Sequence, residues 1–135
     1  MSMKVPNAVE VEVITTLLTP NLTLKLYGND KTPADGDVAA NYTEISGGGY
    51  ANKPLTFANW TITSGAPSAG SYPGQTWIFT GPINAPGTIY GYYVTRDSDG
   101  KLMWAERFPS ANVPFGPVNG SKIVVLPRFT AESQF

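Results

Sequence analysis

At 135 residues the chain is long enough for one domain with a real core, and it contains neither cysteine nor histidine. Disulfides, thiolate chemistry, the commonest general base and the commonest metal ligand are therefore excluded together. A net charge of −1 with only 14% charged residues leaves no basic patch for nucleic acid and no polybasic membrane anchor.

Fourteen Gly and twelve Pro imply short strands separated by many turns. The opening MSMKVPNAVEVEV lacks a charged segment followed by an apolar one, and no apolar run approaches the roughly 20 residues of a membrane span. The expectation is a soluble chain without a signal peptide, made in a cytoplasm.

In chain order, Asn7–Leu18 is the first element and the most ambiguous. Val9, Val11 and Val13 alternate with Glu10 and Glu12, as in a strand. Against this, Asn7 followed by Glu10 has capping-box spacing, Val9, Val13 and Leu17 form a helical stripe, and Pro20 supplies a stop. Helix is the preferred reading. Leu22–Tyr27 is a strand with Leu22, Leu24 and Leu26 inward and Thr23, Lys25 and Tyr27 outward.

Residues 31–37 are a turn-rich loop, and residues 38–45 a ragged edge segment. Gly47-Gly48-Gly49 lacks the Lys-Ser/Thr pair and helix start of a phosphate loop, so it reads as a bend. Strands are expected over 54–57, 59–63 and 76–80, with Leu55, Phe57, Trp60 and Ile62 as anchors and Trp77 and Phe79 facing away from Ile78. A further apolar strand, KIVVL over 122–126, is closed by Pro127.

Residues 88–108, TIYGYYVTRDSDGKLMWAERF, read as the central β-hairpin. Asp97-Ser98-Asp99-Gly100 suits a type I turn with a Gly bulge, giving pairs Thr95–Met103, Val94–Trp104, Tyr92–Glu106 and Tyr90–Phe108. Tyr90, Tyr92, Val94, Trp104 and Phe108 then share one face; Ile89, Tyr93, Thr95, Met103 and Ala105 share the other. An antiparallel surface hairpin normally keeps one face polar, whereas both of these are apolar. The first set is expected in the core, with Ile89, Tyr93 and Met103 beneath another element or a neighbouring subunit.

Few residues suggest chemistry. Glu106 is the one acid within an apolar strand pair, and an ion pair explains it better than a raised-pKa glycosidase acid. Asp97-Ser98-Asp99-Gly100 resembles the start of a calcium loop, but the third acid is missing and Phe108 stands where the bidentate Glu belongs. Asp30, Asp35 and Asp37 form a second acidic cluster that turns account for. The aromatic residues, Trp60, Tyr72 and Trp77 among them, admit a sugar-stacking surface, although their spacing is that of a core. No catalytic, cofactor-binding or metal-binding residue is assigned, and no enzymatic activity is expected.

Four segments, residues 22–44, 48–68, 88–108 and 119–130, resemble a family of small virion-associated, β-rich proteins of tailed bacteriophages. The likeness spans roughly residues 4 to 130 and is most specific over residues 24–33 and in the hairpin strands. It favours a helix at the N-terminus and supplies no catalytic residues. What it implies is a place on the capsid surface of the virion as a decoration or cement protein, with the major capsid protein as partner and a homo-oligomeric state, dimer or trimer. Tail or neck placement is the structural alternative, and a carbohydrate-binding module the alternative from another class.

The architecture expected is all-β, an antiparallel β-sandwich or jelly roll with a short N-terminal helix, forming one domain over residues 1–135. Residues 1–20 would be an N-terminal arm or helix and residues 128–135 a C-terminal tail. A cement protein needs loops and apolar surface that reach its neighbours, so residues 64–75 and 109–120 are the candidate arms. Ile89, Tyr93, Met103, Tyr72 and Phe115 are the candidate interface residues.

Overall fold

The computed structural model describes residues 4–131. It is an all-β fold with one N-terminal helix. The helix α1, Asn7–Leu18, is followed by strands β1, Leu22–Tyr27, β2, Lys53–Leu55, β3, Thr61–Thr63, β4, Ser68–Ser71, and β5, Gln75–Ile78. Then come β6, Gly91–Arg96, β7, Leu102–Arg107, β8, Lys122–Val125, and β9, Arg128–Ala131. The strands form three antiparallel sheets, in the orders β2-β1-β6-β7, β3-β4-β9 and β5-β8. One core joins them, running from Ile14 and Leu18 through Leu22, Leu24, Leu26 and Leu55 to Trp77, Phe79, Val94 and Val125.

The helix forms where expected but for different reasons. Pro6 occupies the N-cap with no side-chain bond, so Asn7 and Glu10 make no capping box. The buried stripe is Glu10, Ile14 and Leu18, one position on from the anticipated Val9, Val13 and Leu17; Val9 and Val13 face solvent. Strand β4, Ser-Ala-Gly-Ser, dictates this choice. A helix rises about 6 Å over four residues and a strand about 6.6 Å over two, so the turn of α1 from Glu10 to Ile14 matches the step from Ser68 to Gly70 in β4.

Glu10 meets Ser68, whose hydroxyl donates to its Oε1 at 2.8 Å. Ile14 and Leu18 settle over Gly70, where a Cβ would come within 2.5 Å of Leu18 Cδ1. Both side chains are fully buried, each contributing roughly 1.5–3 kcal/mol. Of the arm or helix expected at the N-terminus, Asn7–Leu18 is the helix, packed against β3, β4 and β9.

Three further expectations change. Arg128–Ala131 is strand β9, paired with β4 from Ser68↔Ala131 to Ser71↔Arg128, where a tail was anticipated. Residues 132–135 of that tail lie outside the described residues. Residues 64–75 contain β4 and the buried Tyr72, so the middle of the segment is part of the fold's interior rather than a free arm. Phe57, anticipated as an anchor, sits exposed in a 3₁₀ turn, Phe57–Asn59, between β2 and β3. The three glycines Gly47, Gly48 and Gly49 do form a bend, all at positive φ.

The hairpin keeps its register where packing sets it and loses it near the turn. Val94 pairs with Trp104 and Tyr92 with Glu106, as read from the sequence. The turn is one residue longer: Arg96 N–H donates to Lys101 O at 2.9 Å, and Gly100 N–H to Arg96 O at 2.7 Å. Asp99 fixes this form by accepting from Arg96 and from Lys101 N–H. Thr95 then faces Leu102, and the surplus residue, Met103, forms a bulge that turns it toward the main core beside Trp104.

At the far end the alternation also breaks. Ile89 points into the main core and Tyr90 to the opposite side, the reverse of the expected assignment. Ile89 is held in a separate two-way main-chain bond with Phe115, while Tyr90 N–H donates to Tyr27 O. Gly91 permits the crossing at this point: a Cβ there would lie 2.6 Å from the Tyr27 hydroxyl and against Glu106 O.

The second apolar face of the hairpin is covered from within the chain. Tyr27, Tyr42 and Tyr93 form a separate buried cluster, edged by Tyr90, Leu102 and Ala105. The rings of Tyr42 and Tyr93 stack at 5.2 Å, and Tyr27 meets Tyr42 edge-on at 5.0 Å. Residues 28–44 carry Tyr42 over the sheet and are latched in place by their own polar groups. Asp37 accepts from Lys31 at 2.8 Å and from the Tyr42 hydroxyl at 2.7 Å, Tyr27 donates to Lys31 O, and Asn29 bonds Asn41 O and Thr43 N–H.

Candidate interaction surface

The candidate interface residues end in different places. Ile89 is fully buried in the main core, and Tyr93, 4% exposed, lies under residues 28–44. Tyr72 is buried against Trp60, its hydroxyl accepting from Thr56 N–H at 3.1 Å and Asn59 Nδ2 at 3.2 Å. These three are internal because each apolar face read from the sequence meets another part of the same chain. Met103 is half-buried through the bulge, and Phe115 is half-buried at the rim of a surface groove. Of the five, Phe115 alone lines the groove described below.

The acidic residues are tied locally. Asp30 pairs with Arg107 at 2.7 Å, and Asp97 accepts from Thr23 Oγ1. The Arg96 guanidinium and the Lys101 N–H hold Asp99 down at about 2. Lys31 and the Tyr42 hydroxyl do the same for Asp37, also to about 2. Glu44 accepts from Tyr50 and Asn52; burial and then that carboxylate push the Tyr50 phenol above its usual range. Glu106 is exposed, and none of the ion pairs found among the described residues uses it. Among the described residues no group of three or more acids is placed to hold a metal ion, and no helix is long and apolar enough to cross a membrane.

The aromatic residues that would make a sugar platform are packed away. Trp60 meets Tyr72 edge-on at 4.9 Å, and Trp104 lies 5.4 Å from Phe129. Trp77 is buried, donating its indole N–H to Ala51 O at 2.7 Å, with Lys53 against one face of the ring and Tyr50 stacked on it.

Exposed apolar surface is concentrated on and beside the β5–β8 ribbon. Trp77, Ile123 and Val125 face inward, so period-two alternation turns Ile78 and Val124 outward. Ile78 is 64% exposed, Val124 50%, Leu126 72% and the neighbouring Val118 60%. Beside the ribbon runs an open groove of about 600 Å³ between Lys122, Ile123 and Val124 on one wall and residues 108–115 on the other. Phe108, Val113, Phe115 and Ile123 line it as half-buried apolar residues, and Lys122 is its one charged lining residue.

The sequence contains a signal for this surface that the strand reading passed over. After Lys122 the run over residues 123–126 carries no charge or proline, although an edge strand is ordinarily protected by such residues. Comparison with protein-family models, with curated proteins and with solved structures returns no match.

Proposed function

We propose that the chain is a structural protein of a tailed-bacteriophage virion, a decoration or cement protein on the capsid surface that stabilises the head through contacts with the major capsid protein. The observation that carries this reading is a closely packed β scaffold that leaves large apolar side chains, Ile78, Val118, Val124 and Leu126, open on and beside one ribbon. Surface of that kind is the usual signature of a protein partner. The resemblance of residues 4 to 130 to virion-associated phage proteins supports the same reading and gives the partner its place. A cement protein acts by shape and contact, so no catalytic step is assigned to any residue.

In this reading the chain assembles as a dimer or trimer at the symmetry positions of the head. Ile78, Val124 and Leu126 replace Ile89, Tyr93 and Tyr72 as the residues offered to a neighbour. Quantitative mass spectrometry of purified particles of the encoding phage tests the proposal. A copy number that scales with the capsid subunits supports it. One matching a tail or neck ring moves the protein there, and absence from the particles sinks it.

A further inference from the structure

We propose that the groove beside β8 binds an extended peptide strand of a partner protein, adding it to the free edge of β8 with an acidic group of the peptide against Lys122. The inference goes beyond the virion reading and holds for any partner that presents such a strand.

Main-chain geometry is the first argument. Phe79 N–H donates to Ser121 O at 2.8 Å, which sets the parity of the ribbon. With that parity Ile123 and Val125 direct their N–H and C=O groups to β5, and Lys122 and Val124 direct theirs away from it. No other main-chain bond reaches that edge among the described residues. No residue of β5 lines the groove, so the groove lies on this unpaired side of β8.

The groove also fits a strand in shape and chemistry. Four residues of β8 span about 13 Å, and the volume of about 600 Å³ falls within the usual range of ligand sites. Apolar Phe108, Phe115 and Ile123 suit the alternate side chains of an added strand. Lys122 is exposed and has no carboxylate partner among the described residues, so charge complementarity selects an acidic strand. A two-stranded ribbon is the least self-sufficient of sheets, and a third strand would pair its open edge.

The test is an NMR titration of the isotopically labelled full chain with the blocked peptide Glu-Val-Thr-Val-Thr-Val. Shifts are expected in the amides of Lys122, Ile123, Val124 and residues 111–115, together with slowed hydrogen exchange at Lys122 and Val124. N-methylating the two peptide amides that face β8 should weaken binding about tenfold or more while leaving the protein untouched. Lys122→Glu should also weaken it, with the remainder of the unliganded spectrum unchanged. Absence of these shifts at millimolar peptide would overturn the inference. So would equal binding of the N-methylated peptide, which would mean apolar adhesion without strand pairing. Concentration-dependent dimerisation through the same amides would overturn it too, by making a second copy the occupant.

Discussion

The β6–β7 hairpin and the β5–β8 ribbon are both antiparallel pairs rich in apolar residues, yet they stand in opposite relations to solvent. β6 is buried along nearly its whole length, with the main core on one face and the tyrosine layer of residues 28–44 on the other. The ribbon is anchored on one face by Trp77 and Val125, while Ile78 and Val124 remain open on the other. Apolar character on two faces therefore does not identify an interface. What separates the pairs is whether the chain supplies its own cover, and residues 28–44 do so for the hairpin.

The strongest way to break this comparison is to remove the cover's contact. Tyr93→Ala deletes a buried ring that stacks on Tyr42 and should cost about 3–5 kcal/mol, read as a lowered denaturation midpoint in urea. A loss below about 1 kcal/mol would mean that the tyrosine layer is peripheral and that the hairpin's outer face is available to a partner.

A smaller effect should follow from acid. The folded pKa of Asp37 is about 2 against an ordinary 3.8, because Lys31 and Tyr42 bond its charged form. The stabilisation is complete above the unfolded value and is lost as pH falls through the folded one. Between pH about 4 and 2 the near-ultraviolet circular dichroism of the tyrosine layer should weaken, while Trp77 fluorescence from the ribbon stays constant. Asp99 titrates in the same window at the hairpin turn, so Asp37→Asn is the control: it should remove the acid dependence of the tyrosine signal and leave that of the turn. Simultaneous loss of both signals would show that cover and ribbon unfold as one unit.

The smallest effect is expected on the ribbon. Ile78→Thr and Leu126→Gln replace side chains that are mostly exposed and should change stability by no more than about 0.5 kcal/mol in thermal melts. A loss of several kcal/mol would place these side chains in the fold's own packing and withdraw them as contact surface.

Local chemistry made much of the fold legible. Leu22–Tyr27 alternates in sequence and is a strand; Trp77 and Phe79 face inward and Ile78 outward; and the hairpin pairs Val94–Trp104 and Tyr92–Glu106 hold because the bulge at Met103 offsets the turn's extra residue. The helix was legible as an element but not in its orientation. Val9, Val13 and Leu17 make as good an apolar stripe as any, and a sequence does not state that a Ser-Ala-Gly-Ser strand will accept Glu10, Ile14 and Leu18 instead. The candidate surface was less legible still. Ile89, Tyr93 and Tyr72 carry the same apolar signal whether a neighbour or the same chain buries them.

By itself the sequence determined the class of the molecule: strand period, turn positions and the absence of histidine and cysteine are properties of residues and their near neighbours. Only the tertiary structure decided which apolar faces are closed. It folds residues 28–44 over the hairpin, slides α1 one position round onto Gly70, places Met103 in a bulge and leaves β8 with an open edge. The physical reason is that burial is a relation between segments distant in sequence, set by which surfaces fit together. The hydrophobicity of a segment fixes only that it must be covered by something.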